Sequence, residues 1–182
     1  MRASGCDTDG LFEMFTQSAR TAISHAQDEA REIASDSVGL EHLLVGLFSD
    51  SDGVARRVFS ELGVSADAVR ERVRERRVVA RGSLTDARLS FSPEAKDALR
   101  FANRIAMGDP PGTEHILIAL VARGENGACE ILRAVGADPA KIRFYTKQRA
   151  WPAGAAAPGT RSALRRVRSV PLERIREIDF GD

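Results

Sequence analysis

The chain carries the dipeptide Glu-His twice, as Glu41-His42 and Glu114-His115, 73 residues apart and in matching surroundings. Each pair stands in a segment of the form Gly-x-Glu-His-(Leu/Ile)-Leu. A carboxylate can accept hydrogen bonds from a ligand, and a histidine can act as a base or a metal ligand. The two pairs are therefore the first candidates for binding or proton-transfer chemistry.

Both histidines fall in segments predicted to be buried helices, with no cysteine or second histidine nearby in the sequence. That setting favours packing and hydrogen bonding over catalysis, and the third histidine, His25, is predicted to lie on the surface. No Ser-His-Asp arrangement, paired-carboxylate cleft or metal-ligand spacing is recognisable, and the phosphate loop G-x-x-x-x-G-K-[ST] is absent from the sequence. We predict no catalytic residue, no metal and no cofactor.

The elements that carry these pairs are themselves duplicated. Upstream, the segment Phe15–Arg20 matches Phe91–Lys96, and the match continues downstream of each Glu-His pair. The downstream equivalents are Ala55 and Ala128, Val58 and Ile131, Leu62 and Val135, and Gly63 and Gly136. An internal repeat indicates a duplicated structural unit, so any site is expected in two related copies or at their junction.

Apolar residues recur at helical spacing throughout both units, which predicts an all-α fold with four helices in each. The predicted helices are Phe12–Ile33, Leu40–Phe48, Val54–Leu62, Ser65 (as N-cap) to Arg77, Pro93–Met107, Thr113–Val121, Gly127–Val135 and Asp138–Arg149. The second unit is three residues shorter between its first two helices, and we assign this difference to the loop. Gly63 stands where a left-handed helix cap is expected.

Composition predicts one domain with short flanking segments. Residues 1–10 are small and polar and are predicted to be a disordered leader, and residues 11–150 to form the domain. Repeat one occupies residues 11–77 and repeat two residues 90–149. Residues 151–182 begin with an Ala/Gly/Pro-rich stretch, which is typical of a flexible linker, and continue as a tail.

The charge balance is nearly neutral: 27 Lys and Arg against 26 Asp and Glu give a formal net charge of +1. This balance indicates no overall attraction to nucleic acid or to anionic membranes. No stretch reaches the roughly 18 apolar residues of a membrane span, and the two cysteines suggest no disulfide framework. We predict a reduced, cytoplasmic protein with no membrane partner.

The two Gly-x-Glu-His-(Leu/Ile)-Leu segments, each preceded by a Phe-(Thr/Ser)-x-x-Ala helix start, resemble the Clp N-terminal repeat domain. The resemblance is closest to the N-domain of ClpC-type AAA+ unfoldases and covers residues 11–149. It implies one pseudo-twofold, eight-helix domain built from two four-helix repeats. Because the phosphate loop of the ATPase modules is missing, we expect a free-standing N-domain.

The resemblance also implies a site for phosphoarginine, a degradation mark, in each repeat. The residues concerned are Glu41 and Glu114 for the guanidinium group, and Thr16 and Ser92 for the phosphate. Ser18 and Glu94 stand where the family usually has arginine, and the charge of Glu94 opposes a phosphate. The alternative is that each glutamate, in the first turn of a helix, only complements the helix dipole.

A second implied site is an apolar groove where the two repeat starts meet. In the family this groove takes adaptors and cyclic-peptide antibiotics. The matching residues are Phe12, Phe15, Phe91, Arg20, Gln27 and Lys96. The alternative is that the phenylalanines only pack the helix starts.

Together these features predict a non-catalytic regulator of the Clp protease system. Its partners would be a Clp unfoldase, or that unfoldase's adaptors and phosphoarginine-marked substrates, which it would deliver or sequester. The alternative is a scaffold whose basic tail, with Arg161, Arg165, Arg166 and Arg168, binds a protein or nucleic acid. Acidic residues such as Glu173 and Glu177 dilute that tail, which makes nucleic acid the less favoured partner.

Overall fold

A computed structural model describes residues 12–51, 53–76, 89–122 and 124–150. Regular structure within these ranges is helical, apart from one isolated bridge between Val38 and Phe91. The helices are α1 (Gln17–Glu32), α2 (Leu40–Gly46), α3 (Val54–Glu61), α4 (Ala66–Glu75), α5 (Pro93–Ile105), α6 (Thr113–Val121), α7 (Gly127–Ala134) and α8 (Pro139–Ala150). The predicted all-α fold with four helices in each repeat is confirmed, and the predicted leader and tail lie outside the described residues.

The start of the first helix was predicted wrongly. Phe12 lies in a separate helical turn, and α1 begins only after Thr16, whose hydroxyl accepts a hydrogen bond from the backbone N–H of Ala19 at 3.2 Å. The apolar spacing continues across this cap because Phe15 is buried in the core from outside the helix. Every other predicted helix boundary within the described residues lies within two residues of the observed one.

The length difference between the repeats was also assigned to the wrong element. The connections between the first two helices, residues 33–39 and 106–112, each have seven residues. The difference lies in the helices, since α1 has 16 residues and α5 has 13. Three residues are nearly one helical turn. The loop of repeat one therefore lies about 4.5 Å further along the axis of its first helix than the loop of repeat two does.

Local signals end and begin the helices as expected. Gly63 and Gly136 follow α3 and α7 with φ of 67° and 80°, the left-handed conformation that glycine adopts without strain. The hydroxyl of Ser92 accepts from the N–H of Ala95 at 3.2 Å and so caps α5, where Pro93 occupies the first helical position. These caps fix where each helix starts and therefore where the candidate site residues stand.

The core is built around the second helix of each repeat. Leu43 and Leu44 of α2, and Leu117 and Leu120 of α6, have almost no exposed surface. Helix α2 packs on α1, and α6 packs on α5 and α8. Because α2 and α6 also contact each other, the Glu-His pairs start the two most enclosed helices of the domain.

The two repeats are joined crosswise through their helix starts. The N–H of Val38 donates to the carbonyl of Ser90 at 2.9 Å, and the N–H of Ser92 donates back to Val38 at 3.0 Å. At the equivalent joint, the N–H of Thr16 donates to the carbonyl of Pro111 at 3.0 Å. Because proline has no N–H, Pro111 cannot return a bond as Val38 does.

Candidate functional site

The two histidines hold the helix starts on which they stand. Nδ1 of His42 accepts from the backbone N–H of Gly39 at 2.9 Å, and Nδ1 of His115 accepts from Gly112 at 3.0 Å. Because an amide N–H can only donate, each Nδ1 carries no proton and the neutral ring bears its proton on Nε2. Both rings are buried, which agrees with the predicted structural role.

The environment of His42 keeps its ring neutral. Burial lowers the pKa of His42, against the opposite pull of the Glu41 carboxylate. Its Nε2 lies 3.1 Å from the hydroxyl oxygen of Ser35, which completes the hydrogen bonding of the ring. This arrangement resembles a capping box in which histidine takes the place of the usual Glu or Gln.

The two glutamates fold back over the glycines that precede their helices. A Cβ atom added to Gly39 would lie 2.3 Å from Oε1 of Glu41, and one added to Gly112 would lie 2.4 Å from Oε1 of Glu114. A larger residue in either position would displace the carboxylate. The glycine of the repeated motif therefore provides the space in which the carboxylate lies.

The two carboxylates differ in their exposure. The side chain of Glu41 is 36% exposed, whereas that of Glu114 is 20% exposed. Burial raises the pKa of Glu114, but the neighbouring His115 ring and the residue's own backbone N–H lower it, and the resulting pKa is below the ordinary value. Glu114 is therefore held as a carboxylate within its own helix start.

A cavity of about 340 Å³ lies beside Glu41. The loop after α1 forms one wall, with Asp36 among its residues, and Gly127 at the start of α7 forms part of another. Arg76, at the end of α4, also lines the cavity and is paired with Glu130 of α7. Because α7 belongs to repeat two, the cavity lies between the repeats.

Thr16 and Ser92, the predicted phosphate ligands, both act as N-caps, since each hydroxyl accepts from a backbone N–H of its own helix. The crosswise joints connect Ser92 to the loop before Glu41, and Thr16 to the loop before Glu114. Helix α1, about 24 Å long, separates Thr16 from the loop that leads to Glu41. The backbone therefore associates each glutamate with the helix start of the other repeat.

Two of the predicted apolar groove residues, Phe12 and Phe91, meet where the repeats join. The ring centroids of Phe12 and Phe91 are 5.2 Å apart. Phe15 and Phe91 are buried, so Phe12 is the phenylalanine of this set that keeps some exposed surface. Arg20 donates a hydrogen bond to Gln17 at 2.9 Å, while Gln27 and Lys96 are half-buried. Binding by this groove stays a prediction.

The lining residues that were not identified from the sequence include Asp36, Arg76 and Gly127. For Gly127 a signal existed, because the repeat alignment places it opposite Val54 and a glycine in place of a valine removes a whole side chain. For Asp36 and Arg76 we find no comparable local signal. Charged residues at a loop and at a helix end are ordinary on a protein surface.

Other chemistry is weakly represented in the part of the chain that the structure describes. The described residues contain no group of three or more His, Cys, Asp or Glu side chains placed to hold a metal ion. Burial raises the pKa of the Cys129 thiol, which disfavours the reactive thiolate. None of the described helices is long and apolar enough to cross a membrane.

Comparisons with known sequences agree with this architecture. The family described as the Clp repeat (R) N-terminal domain matches residues 14–109, more than half of the chain. The chloroplastic chaperone ClpC2 of Arabidopsis thaliana is 34% identical over 146 residues, covering 78% of this chain and 15% of that protein. Chloroplastic ClpC of Pisum sativum is 35% identical over 137 residues, covering 73% and 15%. The chain thus spans about 15% of the length of these relatives.

Solved structures show the same fold. The N-terminal domain of ClpD from Arabidopsis thaliana superposes with a TM-score of 0.63 at 26% identity, covering 76% of this chain and 95% of that domain. A ClpV N-domain in complex with a VipB peptide gives a TM-score of 0.59 at 15% identity, covering 82% and 94%. On the family match and the shared fold, the chain belongs to the Clp repeat N-terminal domain family.

Proposed function

We propose that this protein is a non-catalytic recognition domain of a Clp protease system, which binds substrates or adaptors and delivers or sequesters them. The observation that carries the proposal is the coverage of 95% of the ClpD N-terminal domain, since nearly the whole of that domain has an equivalent in this chain. The ClpV N-domain solved with a VipB peptide is an example of the same fold holding a peptide. The names of the curated relatives place them in chloroplasts, and a cytoplasmic location for this chain stays a prediction.

The finer proposal is that the glutamates at the two helix starts read phosphoarginine. A carboxylate can accept two parallel N–H bonds from a guanidinium group, and both glutamates keep part of their surface exposed. The hydroxyls of Thr16 and Ser92 use their oxygens as caps and retain a proton to donate to a phosphate. Glu94, exposed in the first turn of α5, opposes a phosphate at the Ser92 end.

Adaptors and cyclic peptides are proposed to dock separately, at a surface that would include Phe12, Arg20, Gln27 and Lys96. Phe12 is half-buried against Phe91 and so offers part of an aromatic surface. Aromatic residues and arginine are enriched at protein interfaces. A Phe12→Ser variant would test whether adaptor binding depends on this surface.

The main test is a calorimetric titration of the full chain with two forms of one intrinsically disordered polypeptide, arginine-phosphorylated and unmodified. We expect micromolar or tighter binding of at least one form, weakened at least tenfold by replacing Glu41 and Glu114 together with Ala. Absence of binding to both forms would contradict a role in substrate recognition. Binding that the double replacement leaves intact would contradict the assignment to the glutamates.

A further inference from the structure

The fourth helices of the two repeats present different side chains to the solvent. Helix α4 buries Val69 and Val73, and α8 buries Ile142 and Thr146 at the equivalent positions, 73 residues further along the chain. The two helices are therefore in register, so their outward-facing residues can be compared one by one.

The outer side of α4 is acidic, and that of α8 is not. Asp67, Glu71 and Glu75 are exposed and stand four residues apart, so they lie along one side of α4. In the same order, the equivalent residues of α8 are Ala140, Phe144 and Gln148. Helix α8 contains no acidic residue, and its basic residues are Lys141, Arg143, Lys147 and Arg149. A mixed-charge surface in repeat one thus corresponds to a cationic surface in repeat two.

Two aromatic side chains are exposed together on α8. Phe144 is 58% exposed and Tyr145 is 38% exposed, and their ring centroids lie 5.8 Å apart. The exposed Lys141 precedes Phe144 by three residues and Tyr145 by four, so a cation stands on the same side of the helix as both rings. Aromatic residues are enriched at protein interfaces, and α4 has charged residues at these two positions.

The arginine that the two helices share has carboxylate partners in repeat one only. Arg70 of α4 places its Nε 3.5 Å from Oε2 of the buried Glu29, and one of its terminal nitrogens 3.8 Å from Oδ1 of Asp67. The equivalent residue of α8 is the half-buried Arg143, which forms no ion pair with any other residue that the structure describes.

Both carboxylates of repeat one have uncharged equivalents in repeat two. Asp67 corresponds to Ala140. Glu29 corresponds to Ile105, since each stands at the same distance from the N-cap of its first helix. The guanidinium of Arg143 is therefore kept without the two groups that compensate its charge in the other repeat, and it can take carboxylates from another molecule.

This pattern of charge favours an acidic polypeptide as the partner. Carboxylates are the groups that the equivalent Arg70 takes within this chain, and a guanidinium can donate two parallel hydrogen bonds to a carboxylate. Helix α8 has 12 residues and is about 18 Å long, too short for the many phosphate contacts on which nucleic-acid binding depends. A second copy would bring two cationic helices together, and residues 151–182 contain six arginines against four acidic residues.

We propose that α8 is a docking surface for an acidic segment of another protein, whose carboxylates pair with Arg143 and Lys141 and whose apolar side chains pack on Phe144 and Tyr145. The described residues that line the cavity beside Glu41 include none from α8, so this surface is separate from that site. The inference goes beyond the proposed recognition of substrates, and either can fail without the other.

The test is fluorescence anisotropy of two labelled peptides titrated with the full chain. One peptide has twelve residues that repeat Glu-Glu-Leu, and its counterpart repeats Gln-Gln-Leu. We expect the acidic peptide to bind at least tenfold more tightly than its counterpart, and its binding to weaken as the salt concentration rises. Absence of binding by the acidic peptide, or equal binding of the two peptides, would overturn the proposal.

Three variants with the same change of net charge locate the binding. Phe144→Glu gives α8 the residue of α4 at this position, and we expect at least tenfold weaker binding of the acidic peptide. Ala140→Asp gives Arg143 the internal partner that its equivalent has, and we expect at least threefold weaker binding. Arg74→Gln, on the exposed side of α4, is the matched control and should change binding less than twofold.

The variants change exposed residues, and circular dichroism checks that each one folds. Losses in the control as large as those in the α8 variants, or unchanged binding in Phe144→Glu, would overturn the assignment to α8. A labelled oligothymidylate and a peptide of residues 172–182 test the other occupants. Tighter binding of either than of the acidic peptide, lost in Phe144→Glu, would overturn the acidic partner. The polypeptide titration described above decides the recognition function separately.

Discussion

Repeat one and repeat two share their framework and differ at the candidate sites. In both, a histidine Nδ1 accepts a hydrogen bond from a glycine N–H. In both, a non-glycine residue after the first helix, Ala34 or Met107, has the left-handed conformation. They differ in the length of that helix and in the residue that starts the third helix. Interactions that fix the helix starts are thus kept in both copies, while the space around the glutamates differs.

The largest expected effect tests whether the repeats are one cooperative unit. Leu44→Ala and Leu117→Ala each remove a fully buried side chain at equivalent positions of α2 and α6. We expect each to lower the free energy of unfolding by about 3 kcal/mol, because a cavity remains in the core. Urea denaturation should show a single transition in both variants, since α2 and α6 pack together. Two separate transitions would mean that the repeats unfold independently.

The histidine cap of repeat one is expected to make stability depend on pH. The pKa of His42 is lower in the folded protein than its ordinary value of 6.5, so the unfolded chain binds the proton more readily. The stabilisation is complete above about pH 7. It decreases as the pH falls below 6.5 toward the folded pKa. Urea denaturation between pH 7.5 and 5 should show this decrease.

Two variants of His42 distinguish the effect of its capping hydrogen bond from the effect of its protonation. His42→Gln keeps an oxygen that can accept from the Gly39 N–H but has no titrating group, so the decrease with pH should become smaller. His42→Ala leaves that buried N–H without its partner, and we expect a loss of about 2 kcal/mol at pH 7.5. Equal pH dependence in the wild type and His42→Gln would show that other groups control it.

The joints between the repeats are expected to differ by about one hydrogen bond. Val38→Pro removes the N–H that donates to Ser90 and makes this joint resemble the one at Pro111. We expect the free energy of unfolding to fall by about 1–2 kcal/mol, measured by urea denaturation. Pro111→Ala is the matched control and should change it by less than about 0.5 kcal/mol, since the carbonyl bond from Thr16 remains.

The smallest effect is expected at the two ion pairs between the repeats. Arg76 pairs with Glu130, and Arg149 pairs with Glu61, in both cases from the last turn or the end of a fourth helix. The side chains are partly exposed, so Arg76→Gln and Arg149→Gln should each change stability by less than about 1 kcal/mol. Arg76 lines the cavity beside Glu41, and Arg149 is not among its lining residues. The affinity for a ligand bound in this cavity should therefore change in Arg76→Gln and stay the same in Arg149→Gln. An equal response of affinity to both would contradict the difference between the repeats.

Local patterns predicted most of the fold. The spacing of apolar residues, the capping residues Ser65 and Ser92, and the glycines after α3 and α7 act over a few residues, so the sequence displays them directly. The start of α1 was missed because Phe15 continues the apolar spacing while packing from outside the helix. The one-turn difference between α1 and α5 was missed for another reason. Aligning the two repeats shows that repeat two is three residues shorter, but it does not show whether the helix or the loop is the shorter element.

The sequence by itself determined the duplication, the helix order and the residues at every helix start except that of α1, because these depend on neighbouring residues along the chain. Only the tertiary structure decided that Ser92 joins the loop before Glu41, that Thr16 joins the loop before Glu114, and that Gly127 faces the Glu41 carboxylate. These contacts join positions more than 50 residues apart, where packing of whole helices sets which atoms meet. The repeated motif therefore identified two glutamates, and the packing around them made their surroundings unequal.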